Sequence, residues 1–397
     1  VAPQMDSTPP DTRSTALAEG VAGLLDASPG PVHPSALQAW RAACGLAWAD
    51  PTARHAAGRH SATLLDRARA VIAEGLGVRP DEVTLHASGD QAARTALEGL
   101  ARGRRRRTGP PVASCVEHSS LLRWLRAGAV EPVEVAVSPT GALDLPAWRV
   151  AITEETPFAV LQAANQEVGT RQPLAAARSS ASPKGVPLLV DARACLGRDA
   201  VPRDFDVLVA DATSWGGPRL GVLVVRTGTR FSPHAPPSPH ERGFALDPVD
   251  VPTALAAAES WQHVSADRVE ESRRAGELID RIRTAAGDVT AVDVVGDPLD
   301  RLAHVCTFSV LYVDGETIVD ELARHGLAVA SGSACTSDTV EPSHVLAAMG
   351  ALTQGNVRIT LPLAAVSPGR EDDVERLCAV LPGVVREARG RLGITDL

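Results

Sequence analysis

The chain has 397 residues, 44% of them hydrophobic and 22% charged, enough for two domains with sizeable cores. Its formal charge of −9 argues against general binding to nucleic acid or to an anionic membrane surface, and no apolar run is long enough to span a bilayer. Six widely spaced cysteines, with no CxxC and no Cys/His cluster of zinc spacing, suit a reducing cytoplasm and give no metal site. Residues 1–20 lack an apolar core of signal-peptide length and read as a disordered lead, with either Val1 or Met5 as the start.

From about residue 60 helical and strand patterns alternate. "SATLLDRARAVIAEGLG" puts Leu64, Ala68, Val71, Ile72 and Leu76 on one helical face and closes on Gly77. "DQAARTALEGLA" reads as a second helix, and the basic run Arg102 to Arg107 after it as its solvated end and loop. The short apolar runs "FAVLQAA", "VPLLVDA", "DVLVADA" and "LGVLVVR" predict strands buried on both faces of a largely parallel sheet. Residues 21–251 are therefore assigned to a large doubly wound α/β domain. A long helix, roughly Pro252 to Ala286, opens a smaller α+β unit over 252–397. In it "HVCTFSVLYV" alternates Cys306, Phe308, Val310 and Tyr312 on one face of a half-buried strand. "DGETIVDELARHG" is a helix, "NVRITLP" a second strand, and the last helix has a possible break at Pro382.

The loop "SGSACTSDTVEPSHVLAAMG", with Cys335 among small residues, resembles the active-site loop of the cysteine desulfurases. These are class V members of the pyridoxal-phosphate (PLP) aminotransferase fold type I. The resemblance runs from about Leu24 to the last helix, through "LLDASPGPVHP", "VASCVEHSSLL", "NQEVGTRQP", "LLVDARACLG", "GGPRLGVLVVR" and "HERG". It implies a lysine aldimine with PLP, a loop cysteine that becomes a persulfide, and an acceptor protein for the sulfur. By the same resemblance Asp191 faces the pyridine nitrogen, His118 stacks on the ring and Arg358 takes the substrate carboxylate. Taken singly, the three read better as a strand-end cap, a core histidine and half of an ion pair; their joint occurrence at family positions favours an inherited site.

Other parts of that pattern are absent. Thr213 and Ser214 stand where the family has its His-Lys pair. Of the 39 Lys and Arg residues only Lys184 is a lysine. It lies at the wrong end of its strand, about 20 Å from the cofactor end at ~3.3 Å per residue. The phosphate loop is "SGDQA", so Ser88 and Gly89 are followed by Asp90. At ~5 Å and a dielectric near 20, each unit of charge repulsion there costs about 3 kcal/mol. An arginine and a hydroxyl expected from the subunit interface are replaced within Ala245 to Pro248, and the asparagine and glutamine that the resemblance places near the cofactor oxygen appear as Gln166 and Ala194. A guanidinium cannot stand in for the Schiff-base amine. Three readings follow: a desulfurase-like protein with Cys335 as persulfide acceptor or relay, a noncatalytic scaffold subunit, and an enzyme with altered chemistry in the old pocket. A homodimer, or a heterodimer with a related desulfurase, is expected from the family.

Overall fold

A computed structural model describes residues 22–232, 238, 240–245, 248–331 and 342–394. Its first half holds α1 (Pro34–Leu46), α2 (Ala56–Leu76), β1 (Val83–His86), α3 (Gly89–Gly103), β2 (Val112–Ser114), α4 (Ser119–Arg126) and β3 (Val133–Val135). Next come α5 (Leu145–Ala151), β4 (Ala159–Gln162), α6 (Leu174–Ala181), β5 (Leu188–Asp191), β6 (Val207–Asp211) and β7 (Gly221–Val225). The second half holds α7 (Val251–Gly287), β8 (Val292–Val295), β9 (Val305–Val310), α8 (Gly315–Arg324), β10 (Ala330–Ser331), α9 (His344–Met349), β11 (Asn356–Thr360) and α10 (Arg370–Arg391).

The seven strands of the large sheet lie in the order β1-β7-β6-β5-β4-β2-β3. Pairing from β3 to β6 is parallel, and only β7 is antiparallel to its neighbours. Helices cover both faces, which is why β4, β5 and β7 read as unbroken apolar runs: nearly every side chain on them is buried. The four strands β10-β11-β9-β8 form an antiparallel second sheet. The 37-residue α7 ties the two together. Its first turns (Ala254, Ala257, Trp261) pack into the large core, and its last turns (Leu278, Ile279, Ile282) pack into the small one.

Several details depart from the sequence pattern. In α2 the buried stripe is Leu65, Ala68, Ile72, Ala73 and Leu76, so the face is rotated and Leu64 and Val71 sit at its margin. β9 is buried on both faces, because α7 and α10 cover one side and the large domain the other; it ends at Val310. Tyr312 lies beyond the strand, at φ 68° and exposed. α10 runs through Pro382 as one helix. Finally, residues 24–27 lie along the small sheet, bridging Leu24 to Ala328 and Asp26 to Thr360, with Leu25 in its core.

Candidate active site

The carboxyl ends of β4, β5 and β6 carry Gln162, Asp191 and Asp211, and all three line one cavity of about 370 Å³. Loops leaving parallel strands on the same side make a crevice there, and the amino end of α3 points into it. His118, Gln166, Ser88, Thr213, Ser214 and Arg358 line the same cavity, so the fold brings these sequence-predicted residues together. Gly89, the first residue of α3, stands between the lining residues Ser88 and Asp90. Cys335 lies outside the described residues, as do Leu246 and Asp247.

Asp191 is buried, and its carboxylate is already engaged. Arg193 Nε donates to both carboxylate oxygens at 2.9 and 3.1 Å, and Nη2 donates to Oδ2 at 2.7 Å. The Arg193 backbone N–H closes a short turn onto Oδ1 at 3.0 Å. The guanidinium also pairs with Asp90, whose Oδ1 accepts from Ser120 Oγ at 2.7 Å. Burial pushes the Asp191 carboxyl up, but the charge and hydrogen bonds of Arg193 outweigh it and hold it below the usual range. Asp90 is likewise held low: burial opposes this, and the bonds from Ser120 and Arg193 prevail.

The amino end of α3 has its own anion. Asp211 Oδ2 accepts from the Gly89 N–H at 2.6 Å, while Oδ1 accepts from Thr213 N–H at 3.0 Å and Thr213 Oγ1 at 2.8 Å. A Cβ added at Gly89 would meet Arg193 Cδ at 2.8 Å and Asp211 Cβ at 2.9 Å. Only glycine fits between those side chains. Ser88 Oγ caps the helix by accepting from Gln91 N–H at 3.2 Å. Ser214 Oγ donates to the carbonyls of Leu196 and Asp211 at 2.9 and 2.8 Å, closing a short 3₁₀ turn that ends on Gly216 in the left-handed region. Lys184 is remote from this cavity; its Nζ donates to the carbonyls of Ile152 and Arg149 beyond the amino end of β5.

His118 caps α4, its Nδ1 accepting from the Ser120 N–H at 3.2 Å. Burial, then the Arg193 charge, pull its pKa below the ordinary value, favouring the neutral ring. Behind the cavity Glu117 is fully buried and accepts from the Gln162 N–H at 3.0 Å; burial pushes it up to about 8. Arg358 reaches Asp26 at 3.5 Å. Among the described residues, Gln162 Oε1, Arg358 Nε and Thr360 Oγ1 of the cavity lining are buried and accept or donate no hydrogen bond, and Arg198 Nη2 has only a long ion pair with Glu271 at 3.8 Å. Unpartnered buried donors and acceptors in one cavity are a call for a polar ligand or water.

Arg193 and Asp211 escape a motif reading, although both leave a trace. Arg193 stands two residues after Asp191 in "DARACLG", the spacing that lets a side chain fold back on a strand-end carboxylate. Asp211 ends "VLVAD" as Asp191 ends "LLVD", and parallel pairing of those strands brings both acids to one rim.

Fold and cavity together define a PLP-dependent aminotransferase fold of type I. A family model described as Aminotransferase class-V matches residues 25–231 and 249–377. The chain is 32% identical over 397 residues to an IscS-like cysteine desulfurase of Mycobacterium tuberculosis, covering 93% of this chain and 97% of that protein. Cysteine desulfurase IscS 1 of Archaeoglobus fulgidus is 29% identical over 347 residues, covering 86% and 90%. Among solved structures, a NifS-like protein superposes with a TM-score of 0.82 at 21% identity, over 91% of this chain and 98% of that one. An apo cysteine desulfurase from Thermococcus onnurineus gives 0.75 at 17% identity, over 90% and 95%. The chain belongs to the class V aminotransferase family and, within it, to the cysteine desulfurases.

Proposed function

We propose that this chain is a desulfurase-family protein that does not work through lysine-bound PLP, and that Cys335 is its sulfur-carrying group. One observation carries the first half: Asp191 is saturated by Arg193, so the carboxylate that would face a pyridinium already has a cation on it. Asp211 likewise supplies the anion at the start of α3. With Asp90 beside it and Ser214 in a closed turn, the cavity does not fit the cofactor as the family holds it.

In this reading the Cys335 thiolate attacks the outer sulfur of a donor persulfide. Cys335 becomes the persulfide and the donor leaves as a thiolate, so sulfur moves without net oxidation. The donor is a related desulfurase, met as a heterodimer or transiently by a homodimer of this chain. A second reading, altered chemistry on a small anionic molecule, is favoured by the buried Arg198 and Arg358 nitrogens of the cavity that make no hydrogen bond among the described residues. The test is intact mass and visible absorbance after incubation with PLP and borohydride, then after incubation with a low-molecular-weight persulfide. The expected result is no pyridoxyl adduct, and gain of one sulfur atom that Cys335→Ser abolishes. A fold-dependent pyridoxyl adduct on Lys184, or alanine release from cysteine, would overturn it.

A further inference from the structure

The basic run at the end of α3 does more than end a helix. Gly99 and Gly103 lie four residues apart on one face of α3, where added Cβ atoms would meet Phe231 Cζ at 2.0 Å and the Arg230 carbonyl oxygen at 2.4 Å. That notch seats the segment after β7 against the helix, with Ser232 N–H donating to the Gly99 carbonyl at 3.0 Å. Arg230 is thereby brought to the turn that holds Arg102, Arg104, Arg105, Arg106 and Arg107, and all six arginines line one cavity of about 520 Å³. Arg107 is anchored to the carbonyls of Thr156 and Lys184 at 3.1 and 2.8 Å, and Arg104 to that of Gly185.

Many arginines elsewhere pair with acids, as in Arg69 with Glu241, Arg171 with Asp199 and Arg370 with Glu271, and others, such as Arg203 and Arg389, donate to backbone carbonyls. Among the described residues none of the six bowl arginines has a carboxylate partner, and no acidic residue lines the bowl. The Nε of Arg104 is buried with no hydrogen-bond partner. Burial, then the charges of Arg107 and Arg230, lower its pKa, the signature of uncompensated positive charge. The helix dipole is too small to balance it, since a helix carboxyl end carries roughly half a negative charge.

We propose that this bowl is a binding site for a small anion carrying a chain of phosphate groups. Guanidinium forks match phosphate oxygens in pairs, and several of them converging on one concave space suit several linked phosphates better than a single one. Among the described residues no aromatic side chain lines the bowl, so the site reads the phosphates and not a base. The net charge of −9 disfavours a long nucleic acid.

Titration calorimetry of the full chain with inorganic tripolyphosphate at low salt tests this. Saturable binding to one site per chain is expected, weakening with added salt, with similar affinity for a nucleoside triphosphate and at least about tenfold weaker binding of sulfate at matched ionic strength. Arg104→Gln with Arg230→Gln should weaken tripolyphosphate binding at least about tenfold. Arg105→Gln with Arg106→Gln touches only exposed side chains and spares the fold; it should weaken binding about threefold or more. Arg273→Gln with Arg274→Gln, on the exposed face of α7, should change nothing. Absence of saturable binding by the parent chain overturns the proposal, as does an equal loss in the α7 variant. Tighter binding of a DNA duplex than of tripolyphosphate overturns it in favour of a nucleic-acid surface.

Discussion

Replacing Arg193 by methionine keeps a comparable stem and removes the guanidinium, leaving Asp191 buried with 4% of its surface exposed and no counter-charge. Three side-chain contacts of 2.7 to 3.1 Å are lost, and only the backbone N–H at 3.0 Å remains on the carboxylate. At ~4 Å and an effective dielectric near 20, the lost attraction is about 4 kcal/mol, and breaking a buried pair from one side costs about 3–5 kcal/mol. Urea unfolding at pH 7 should therefore show Arg193→Met less stable by about 3 kcal/mol or more, and Asp191→Asn with Arg193→Met should recover more than half of that. The pH dependence has a definite sign. In the parent chain the Asp191 carboxyl is held below its ordinary value, so its contribution is present above pH ~4 and lost as pH falls through the folded value. Without the guanidinium, burial is opposed only by the backbone N–H bond and the nearby His118, so the folded value should rise above the unfolded one and the carboxyl take up a proton on folding. The stability gap between parent and variant should thus be widest at pH 7 to 8, narrow as pH falls towards ~4, and close only below the parent's folded value. A gap below about 1 kcal/mol at pH 7, flat with pH, would show that the two residues are not a desolvated pair.

Further tests bear on the same cavity and on the thiols. Brief iodoacetamide labelling with peptide mapping should mark Cys335 together with Cys44, which α1 exposes, while Cys195 and Cys306 stay unlabelled because burial raises both thiols, Cys306 to about 11; an inert Cys335 would remove the basis for sulfur transfer. Ser214→Lys alone should bind PLP weakly, and adding Asp90→Ala and Arg193→Ala should tighten it at least about tenfold in a spectroscopic titration; tight binding by the single variant would mean that the acids and Arg193 do not obstruct the site. Glu117 is held up to about 8 by burial, so folding takes up a proton and stability should decline as pH rises from ~4.5 to about 8. Glu117→Gln should flatten that slope in thermal unfolding, and an unchanged slope would place the titrating group elsewhere. Light scattering should give a dimer; a stable monomer that recovers no related desulfurase would count against both forms of assembly.

The parallel sheet, the long helix α7 and the family pattern were all legible in the chain. Apolar runs of strand length, helical spacing and ordered motifs are local properties, and burial on both faces of a parallel sheet writes itself into consecutive residues. The meeting of His118, Asp191, Ser214 and Arg358 followed from the family pattern. What occupies that meeting place did not. Arg193 could have pointed to solvent, and Asp211 was one more acid at a strand end. Only the parallel register of β5 and β6, with α3 set above them, aims Arg193 at Asp191 and Asp90 and lays Asp211 on the Gly89 N–H. The arginine bowl has the same origin. Five of its members were visible as a run, but Arg230 joins them because two glycines on α3 let a distant segment lie against the helix. Residue type and spacing set what each segment can form; long-range contacts decide which charges end up facing each other, since electrostatic pairing depends on distance through space rather than along the chain.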